Sequence, residues 1–417
     1  TVSPSEEESS TRTVWRYNKA DWSRLRAHFR SVDWLQVTAP HTDCNKVWDV
    51  ISETILVGMH RFIPCKQYTT TPSDPPWWNP ECLDAVVLKE QAWRRWRRFP
   101  SSEPLKQTFL QSVNHASTVM DTARLAWERR VQAKLCAGNL RDKQWWSVMK
   151  SVAGVKRSSD IPTLIDAHGQ ECATNLAKAN CFGSFFSKKC SLASDISVDS
   201  LPAASGDSKT PSVTRIHFRA DTVRRHLARL DSSKATGPDN IPARVLKECA
   251  TELAGPLARL FSLSFSTGHQ PQAWKVARVV PVYKKSSKSA EKNYRPVSLL
   301  SICSKVMESI INRQLMNFLE GQNLLSPRQF GFRRGLGPSD LLTGLHHKWS
   351  ATSGLGGSVE VLAVDIAGAF DKVSHTGVLH KLRNIGVKGP LLDWLRDYLT
   401  GRSLEVVIGQ SRRGPPP

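Results

Sequence analysis

Asp365 ends the apolar run Val361-Leu-Ala-Val364, and Phe370 follows five residues later, just before a predicted helix. A short apolar, β-branched run predicts a strand that delivers its carboxylate to the C-terminal edge, where open α/β sheets place ligands. A lone carboxylate there can cap the next helix or hold a cation. A second set of residues is cationic. Lys284 and Lys285 close one apolar run and Arg295 opens the next, with a polar stretch of hairpin length between them. Arg forks onto two phosphate oxygens and Lys acts as a point charge, whereas the plainer alternative is a solvated charge run on a loop. Further upstream, Trp93 and Trp96 stand three apart among Arg94, Arg95, Arg97 and Arg98. On a helix they share a face that can stack on bases and neutralise phosphates, or can supply a helical core with a wet basic side.

These residues need elements to hold them. The runs 277–283 and 294–300 predict the two strands of a hairpin, with the cations at its loop end. Asp221–Leu230 predicts a short helix with Val223, Leu227 and Leu230 on one face. The loop from Ser232 to Pro242 contains Lys234-Ala-Thr-Gly237-Pro-Asp239-Asn240 and leads into a helix. Asp239 or Asn240 can cap that helix, and Pro242 suits its first turn. Leu246, Leu253, Leu257 and Leu260 carry an apolar stripe on to Gly268, interrupted at Gly255-Pro256. Ile302, Val306, Ile310 and Leu315 mark another amphipathic helix, ending at Gly321; a helix over 389–400 and a strand over 404–408 follow. Asp84 to Lys150 reads as two long helices broken near Phe99–Pro104. Three regions result: a Trp/Arg-rich helical region over 1–155, a polar linker over 156–215, and an α/β region over 216–417 with its core motifs in 270–417. Ser191–Ser212 is the most polar part of the linker, and Cys172–Phe186 can form one helix inside it.

Bulk composition narrows the partners. Lys and Arg outnumber Asp and Glu by 58 to 37, and a surplus of that size favours a polyanion, nucleic acid before an anionic membrane. No apolar stretch is long enough to span a bilayer, and the polar, acidic N-terminus is not a secretory signal. That N-terminus also lacks an initiator Met, which suggests a fragment or a processed segment. Nine cysteines, none in a C-x-x-C pair, argue against a disulfide framework or a zinc module, including at Cys172, Cys181 and Cys190.

The motifs Asn293-Tyr-Arg295-Pro-Val-Ser-Leu-Leu300, Gln329-Phe-Gly-Phe-Arg333 and Val361–Asp371 together resemble the reverse transcriptases of non-LTR (LINE-type, jockey-like) retrotransposons. The loop Lys234–Asp239 resembles the Lys-Ala-x-Gly-Pro-Asp loop upstream of the fingers in the same enzymes. Asn18-Lys-Ala-Asp21-Trp22 and Pro76-Trp77-Trp78-Asn79-Pro80-Glu81-Cys82 look like their segment joining endonuclease to polymerase. The resemblance implies a mixed α/β (α+β) fold: right-hand polymerase fingers and a partial palm, preceded by a largely helical N-terminal region. It implies RNA-directed DNA polymerase activity by two-metal nucleotidyl transfer, with Mg²⁺ ions about 3.5–4 Å apart. Asp365 is then a metal ligand and catalytic carboxylate, with Ile366 lending its backbone carbonyl. Lys284 and Arg295 take the triphosphate, Lys285 being a rival for Lys284. Phe370 excludes a 2′-hydroxyl by filling its space, and Asp371 is a local hydrogen-bonding residue. Lys234, Arg333, Arg334 and the Arg94–Arg98 cluster are expected on nucleic acid. The implied partners are template RNA, primer DNA and deoxynucleoside triphosphates, with no membrane. An endonuclease domain is expected upstream, and the cytoplasm and nucleus are the expected locations. The sequence departs from the family at Gly335-Leu-Gly-Pro338, where a small Ser/Thr run is usual.

Two family motifs, Gly-x-Pro-Gln-Gly and aromatic-Ala-Asp-Asp, do not occur in this sequence. With Asp365 alone a two-metal site is incomplete, so the expectation is a fragment inactive by itself, with residues after about 400 open to proteases. The alternative is a noncatalytic nucleic-acid-binding remnant of such an element. A maturase-like splicing cofactor is a third reading, and the Lys234–Asp239 loop and the Trp-rich segment argue against it.

Overall fold

The computed structural model describes residues 10–70, 74–136, 142–152, 161–166, 168–190, 211–409 and 411–412. Most of Ser191–Ser212 therefore lies outside the described residues. By packing, the chain forms two units, one from residues 1–16 and 65–161, the other from 17–64 and 162–417.

In the first unit, β1 (Ser10–Trp15) pairs antiparallel with β2 (Cys65–Thr70). Two long helices follow, α4 (Pro80–Arg98) and α5 (Glu103–Cys136), and then α6 (Asp142–Val152). The break near Phe99 falls where the sequence places it; residues 137–141, between α5 and α6, lie outside the described residues, and Trp145 and Trp146 belong to α6. Asn79 caps α4 by accepting from the N–H groups of Glu81 and Cys82, with Pro80 in the first turn. Asp84 takes both Arg16 and Lys66, which ties α4 to the chain beside both strands. Burial opposes ionisation of Asp84, yet the Arg16 and Lys66 hydrogen bonds outweigh it and hold the carboxyl below its ordinary value. Trp96 stacks on Phe109 at 5.5 Å and closes the helical hairpin, while Trp93, Trp145 and Trp146 stay exposed.

In the second unit, α1 (Trp22–Ser31), α2 (Trp34–Thr38) and α3 (Cys44–Phe62) are capped in turn by Asp21, Asp33 and Asp43. Leu25, Phe29, Val47, Trp48, Ile51 and Ile55 are fully buried or nearly so. These helices are part of the same core as the C-terminal half. Arg26 and Arg30 pair with Glu248 and Glu252 at 3.1 and 2.8 Å, and Trp48 meets Trp274 edge-on at 5.2 Å. Of the eleven tryptophans before residue 155, Trp48 alone is buried among the described residues.

A small hairpin, β3 (Leu164–Ile165) with β4 (Glu171–Cys172), precedes α7 (Asn175–Cys190). Phe182 and Phe186 are buried, so α7 is anchored rather than adrift in a linker. Next come α8 (Ala220–Ala228), α9 (Ala243–Glu248) and α10 (Ala250–Thr267). The sequence marks a break at Gly255-Pro256, but α10 runs through it. Pro256 is buried beside Leu253 and Leu257, and packing of that stripe overrides the cost of the missing N–H. Gly268 ends the helix with φ 71°, a left-handed conformation that suits glycine. Neither Asp239 nor Asn240 caps α9. Pro242 occupies the N-cap position, and Asp239 instead accepts from the Ile241 N–H at 3.3 Å.

The main sheet has four strands in the order β6-β5-β7-β8: β6 (Tyr294–Leu299), β5 (Val276–Tyr283), β7 (Ser403–Ile408) and β8 (Ser411–Arg412). The β5–β6 and β7–β8 pairs are antiparallel and β5–β7 is parallel. The crossover between β6 and β7 contains α11 (Ile302–Gly321), α12 (Pro338–Gly354), α13 (His375–Asn384) and α14 (Gly389–Leu399). This is a mixed α/β arrangement, rich in helix, with small sheets.

Two expectations fail here. Val361–Asp365 forms no strand; the segment 357–366 is irregular, with Leu362 89 % exposed and Val364 79 %. A strand exists only through a ladder, and this segment pairs with no strand among the described residues: β5 is laddered to β6 along Arg278–Tyr283 and to β7 along Val276–Val279. Over 403–408 the chain is not the loose end expected: β7 lies inside the sheet, with Val406 and Ile408 buried.

Candidate nucleotide and nucleic-acid site

The β5–β6 register sets the hairpin cations. Val282 stands opposite Arg295, and Tyr283 opposite Tyr294. Side chains alternate along a strand, so Lys284, two residues beyond Val282, emerges on the Arg295 side. The Lys284 N–H donates to Asn293 O at 2.8 Å, one rung past the last strand pair. Lys284 and Arg295 are therefore diagonal neighbours on one exposed face. Tyr283 and Tyr294 occupy the other face, 5.7 Å apart, with Tyr294 buried. Lys285 begins the loop and does not share that register. Among the described residues, Lys284, Lys285 and Arg295 make no ion pair. Two unpaired cations on one face can hold one polyphosphate.

The hairpin is braced from the side. The Ile165 N–H donates to Ser289 O at 2.9 Å, Cys181 Sγ donates to Glu291 Oε2 at 2.7 Å, and Phe182 meets the Tyr294 ring edge-on at 4.9 Å. Burial, and then the neighbouring Glu291 carboxylate, push the Cys181 thiol far above its ordinary value, so it serves as a donor rather than a nucleophile.

Asp365, Ile366 and Phe370 lie together on the irregular exposed segment, Ile366 at 73 % and Phe370 at 81 % exposure. Phe370 meets Phe332 edge-on with ring centroids 6.0 Å apart, so two motifs far apart in sequence touch. Asp371 pairs with Lys189 of α7 at 2.5 Å. No hydrogen bond or ion pair joins Asp365 to the hairpin cations among the described residues. Arg333 is engaged: its side chain pairs with Glu320 at 3.2 Å and donates to Ser326 O at 3.1 Å. Arg334 is exposed, and Lys234 extends into solvent 3.7 Å from Asp231. On α4, Arg97 lies over the Trp93 ring at 5.0 Å and Arg94 reaches Glu90 at 3.5 Å, while Arg95 and Arg98 are exposed without ion-pair partners among the described residues.

Lys189 and the α7 aromatics carried no sequence signal of a site. Their one trace is the apolar spacing Phe182, Phe185, Phe186, which marks a packed helix.

The residues present do not build a two-metal centre. Two hard divalent cations need several oxygen ligands, and Asp365 supplies one carboxylate on an exposed segment. Among the described residues no three His, Cys, Asp or Glu side chains converge to hold a metal ion.

The reverse transcriptase (RNA-dependent DNA polymerase) family profile matches residues 282–415, from the end of β5 past β7. Over residues 282–415 the chain is similar to reverse transcriptases. The chain is similar to a probable RNA-directed DNA polymerase from transposon X-element of Drosophila melanogaster, 24 % identical over 332 residues, covering 78 % of this chain and 36 % of that protein. It is also similar to the probable RNA-directed DNA polymerase from transposon BS of the same species, 25 % identical over 64 % of this chain and 30 % of the relative. The RNA-directed DNA polymerase from mobile element jockey is 29 % identical over 40 % of this chain and 18 % of its own length. The chain thus spans about a third or less of the curated relatives it matches. They are enzymes of non-LTR elements, which agrees with the LINE-type resemblance of the reverse transcriptase motifs. No helix among the described residues is long and apolar enough to cross a membrane.

Proposed function

We propose that this chain is the fingers-bearing portion, with part of the palm, of an RNA-directed DNA polymerase from a non-LTR element. Its hairpin holds the triphosphate of an incoming deoxynucleotide above template RNA and primer DNA. The observation that carries this reading is the register of Lys284 and Arg295, two cations without ion pairs among the described residues on one face of the hairpin where the family match begins. Phe370 is the residue assigned to the sugar and Asp365 the carboxylate assigned to a metal, with the Ile366 carbonyl beside it. Lys234, Arg334 and the Arg94–Arg98 cluster are assigned to phosphates, Arg333 following only on release from Glu320. The domain division remains part of the proposal: a Trp/Arg-rich region over 1–155, a polar linker over 156–215 and the polymerase region from 216, with an endonuclease upstream in the longer protein.

The test is formation of a ternary complex by the whole chain. With a labelled RNA–DNA primer-template, deoxynucleotide should stabilise the complex against a salt challenge. Lys284→Ala and Arg295→Ala should each weaken that effect about tenfold, equal to about 1.4 kcal/mol, with primer-template affinity unchanged. Wild-type deoxynucleotide dependence in both variants would remove the hairpin from the site.

One observation favours a second reading, nucleic-acid binding without chemistry: Asp365 stands without a converging acidic cluster among the described residues. Deoxynucleotide-dependent stabilisation of the primer-template complex separates the two, because only the polymerase reading gives the hairpin a nucleotide to hold.

A further inference from the structure

One face of the second unit has cations with almost nothing to neutralise them. On α11, Lys305, Ser309 and Arg313 recur at intervals of four and form one stripe. Ser309 Oγ lies 3.2 Å from His226 Nδ1 on α8, which brings Arg225 and Arg229 alongside that stripe. Gln314 fixes the approach by bonding both backbone groups of His217, at 3.1 and 3.0 Å. The carboxylate paired in this patch is Asp221, which takes Arg224 and Arg225. Arg229, Lys305 and Arg313 are exposed and have no ion pair among the described residues.

We infer that the α8–α11 face is a docking surface for the phosphate backbone of RNA, separate from the β5–β6 hairpin. Charge complementarity selects a polyanion, and the absence of apolar anchors selects which one. No large hydrophobic side chain is exposed on α8 or α11 among the described residues. A protein partner would need aromatic or aliphatic anchors there, and a lipid surface an apolar face to receive. A phosphate backbone needs neither. The inference does not depend on catalysis and holds for a polymerase or a binding protein alike.

His226 reports on the site. Burial first, and then the charges of Arg313, Arg229 and Arg225, hold its pKa below the ordinary value. Those three arginines, Arg225 from its own helix, Arg229 just past that helix's end and Arg313 from α11, are the charged groups that face it. Phosphates laid across them cancel their field, so bound RNA raises the His226 pKa.

The experiment uses the whole chain and a single-stranded RNA oligonucleotide, with no nucleotide added. Removing Arg229 and Arg313 together, as Arg229→Gln with Arg313→Gln, should lower the slope of log affinity against log salt by about 1.4, at about 0.7 per lost contact. Arg313→Lys, which keeps the charge, should retain the wild-type slope. Unchanged affinity and slope in the double variant, with its melting temperature preserved, would overturn the inference. A second measurement needs no substitution: NMR titration of ¹³C-labelled histidine in the wild-type chain, with and without RNA. An upward shift of the His226 pKa supports the site, and an unmoved one overturns it. Because Lys284 and Arg295 are read by deoxynucleotide dependence and this face by RNA affinity alone, either can fail without the other.

Discussion

At Asp239 the fold carries a carboxylate into surroundings that oppose its charge. Burial raises its pKa, against the opposing influence of Ser301, the Ile241 N–H and Arg278. One oxygen accepts from Ile241, while the other is buried beside Ser301 Oγ with neither atom satisfied. A carboxyl with a raised folded pKa lowers stability as pH rises past its unfolded value of about 3.9 and through the folded one. Asp239→Asn keeps the acceptor for Ile241 and removes the charge. Its melting temperature should equal or exceed wild type at pH 7, with the difference vanishing below about pH 3.9. Asp239→Ala should fall by about 1 kcal/mol through loss of the turn hydrogen bond. A clearly less stable Asn variant at pH 7 would show that the charge itself holds the loop. His226 works in the other sense. Its folded pKa is depressed, so the unfolded chain takes up the proton first, and stability should decline as pH drops below about 6.5. His226→Gln should flatten that part of a stability–pH curve, and an unaltered curve would rule the histidine out as its source. Asp239 was legible as a turn residue because Asp before a helix start is a local signal. Its burial was not, since Ser301 and Arg278 reach it from distant parts of the chain.

The elements divide along the same line. The hairpin, α8, α11, α14 and β7 were legible because each is written in its own periodicity and bounded by its own turn residues. The position of α7 was not, because its partners are the hairpin's loop end, β7 and Asp371. Two predictions belong here. A Cβ on Gly237 would lie 2.5 Å from Leu300 O and 2.7 Å from Ser301 N, all of it backbone that cannot step aside. Gly237→Ala should therefore cost about 3 kcal/mol, the upper end for overpacking, measured by denaturant unfolding; wild-type stability would mean the loop is not seated on the start of α11. The second concerns the ion pair between Lys189 and Asp371, both partly exposed, which makes its net contribution small, about 0.5 kcal/mol. Its effect is local order. Lys189→Ala should speed hydrogen exchange over 368–373, and the reversed pair Lys189→Asp with Asp371→Lys should restore it. Equal exchange in all three proteins would leave α7 with no hold on the segment beyond Phe370.

Across the whole chain, what sequence could not reveal is which apolar runs find a ladder. Val361–Val364 and Leu404–Ile408 read alike as β-forming runs, yet one is exposed and the other is built into the sheet. Pairing is the difference: β7 lies parallel to β5, the Ser403 N–H donates to Lys275 O at 3.1 Å, and the buried Lys275–Asp397 pair at 2.8 Å locks the strand start to α14. Local unfolding should follow that pattern rather than distance along the chain. Amides of 404–407 should then exchange at rates near those of global unfolding, and amides of 357–366 should exchange within the fast, unprotected regime. Limited proteolysis should cut first between Leu355 and Phe370, where apolar side chains stand in water, and leave β7 intact. An early cut within 403–408 would mean that the parallel pairing does not hold in solution. Protection of 357–366 in the isolated chain would mean that the Asp365 segment finds a ladder after all, through a second copy if the protection grows with protein concentration and within one chain if it does not.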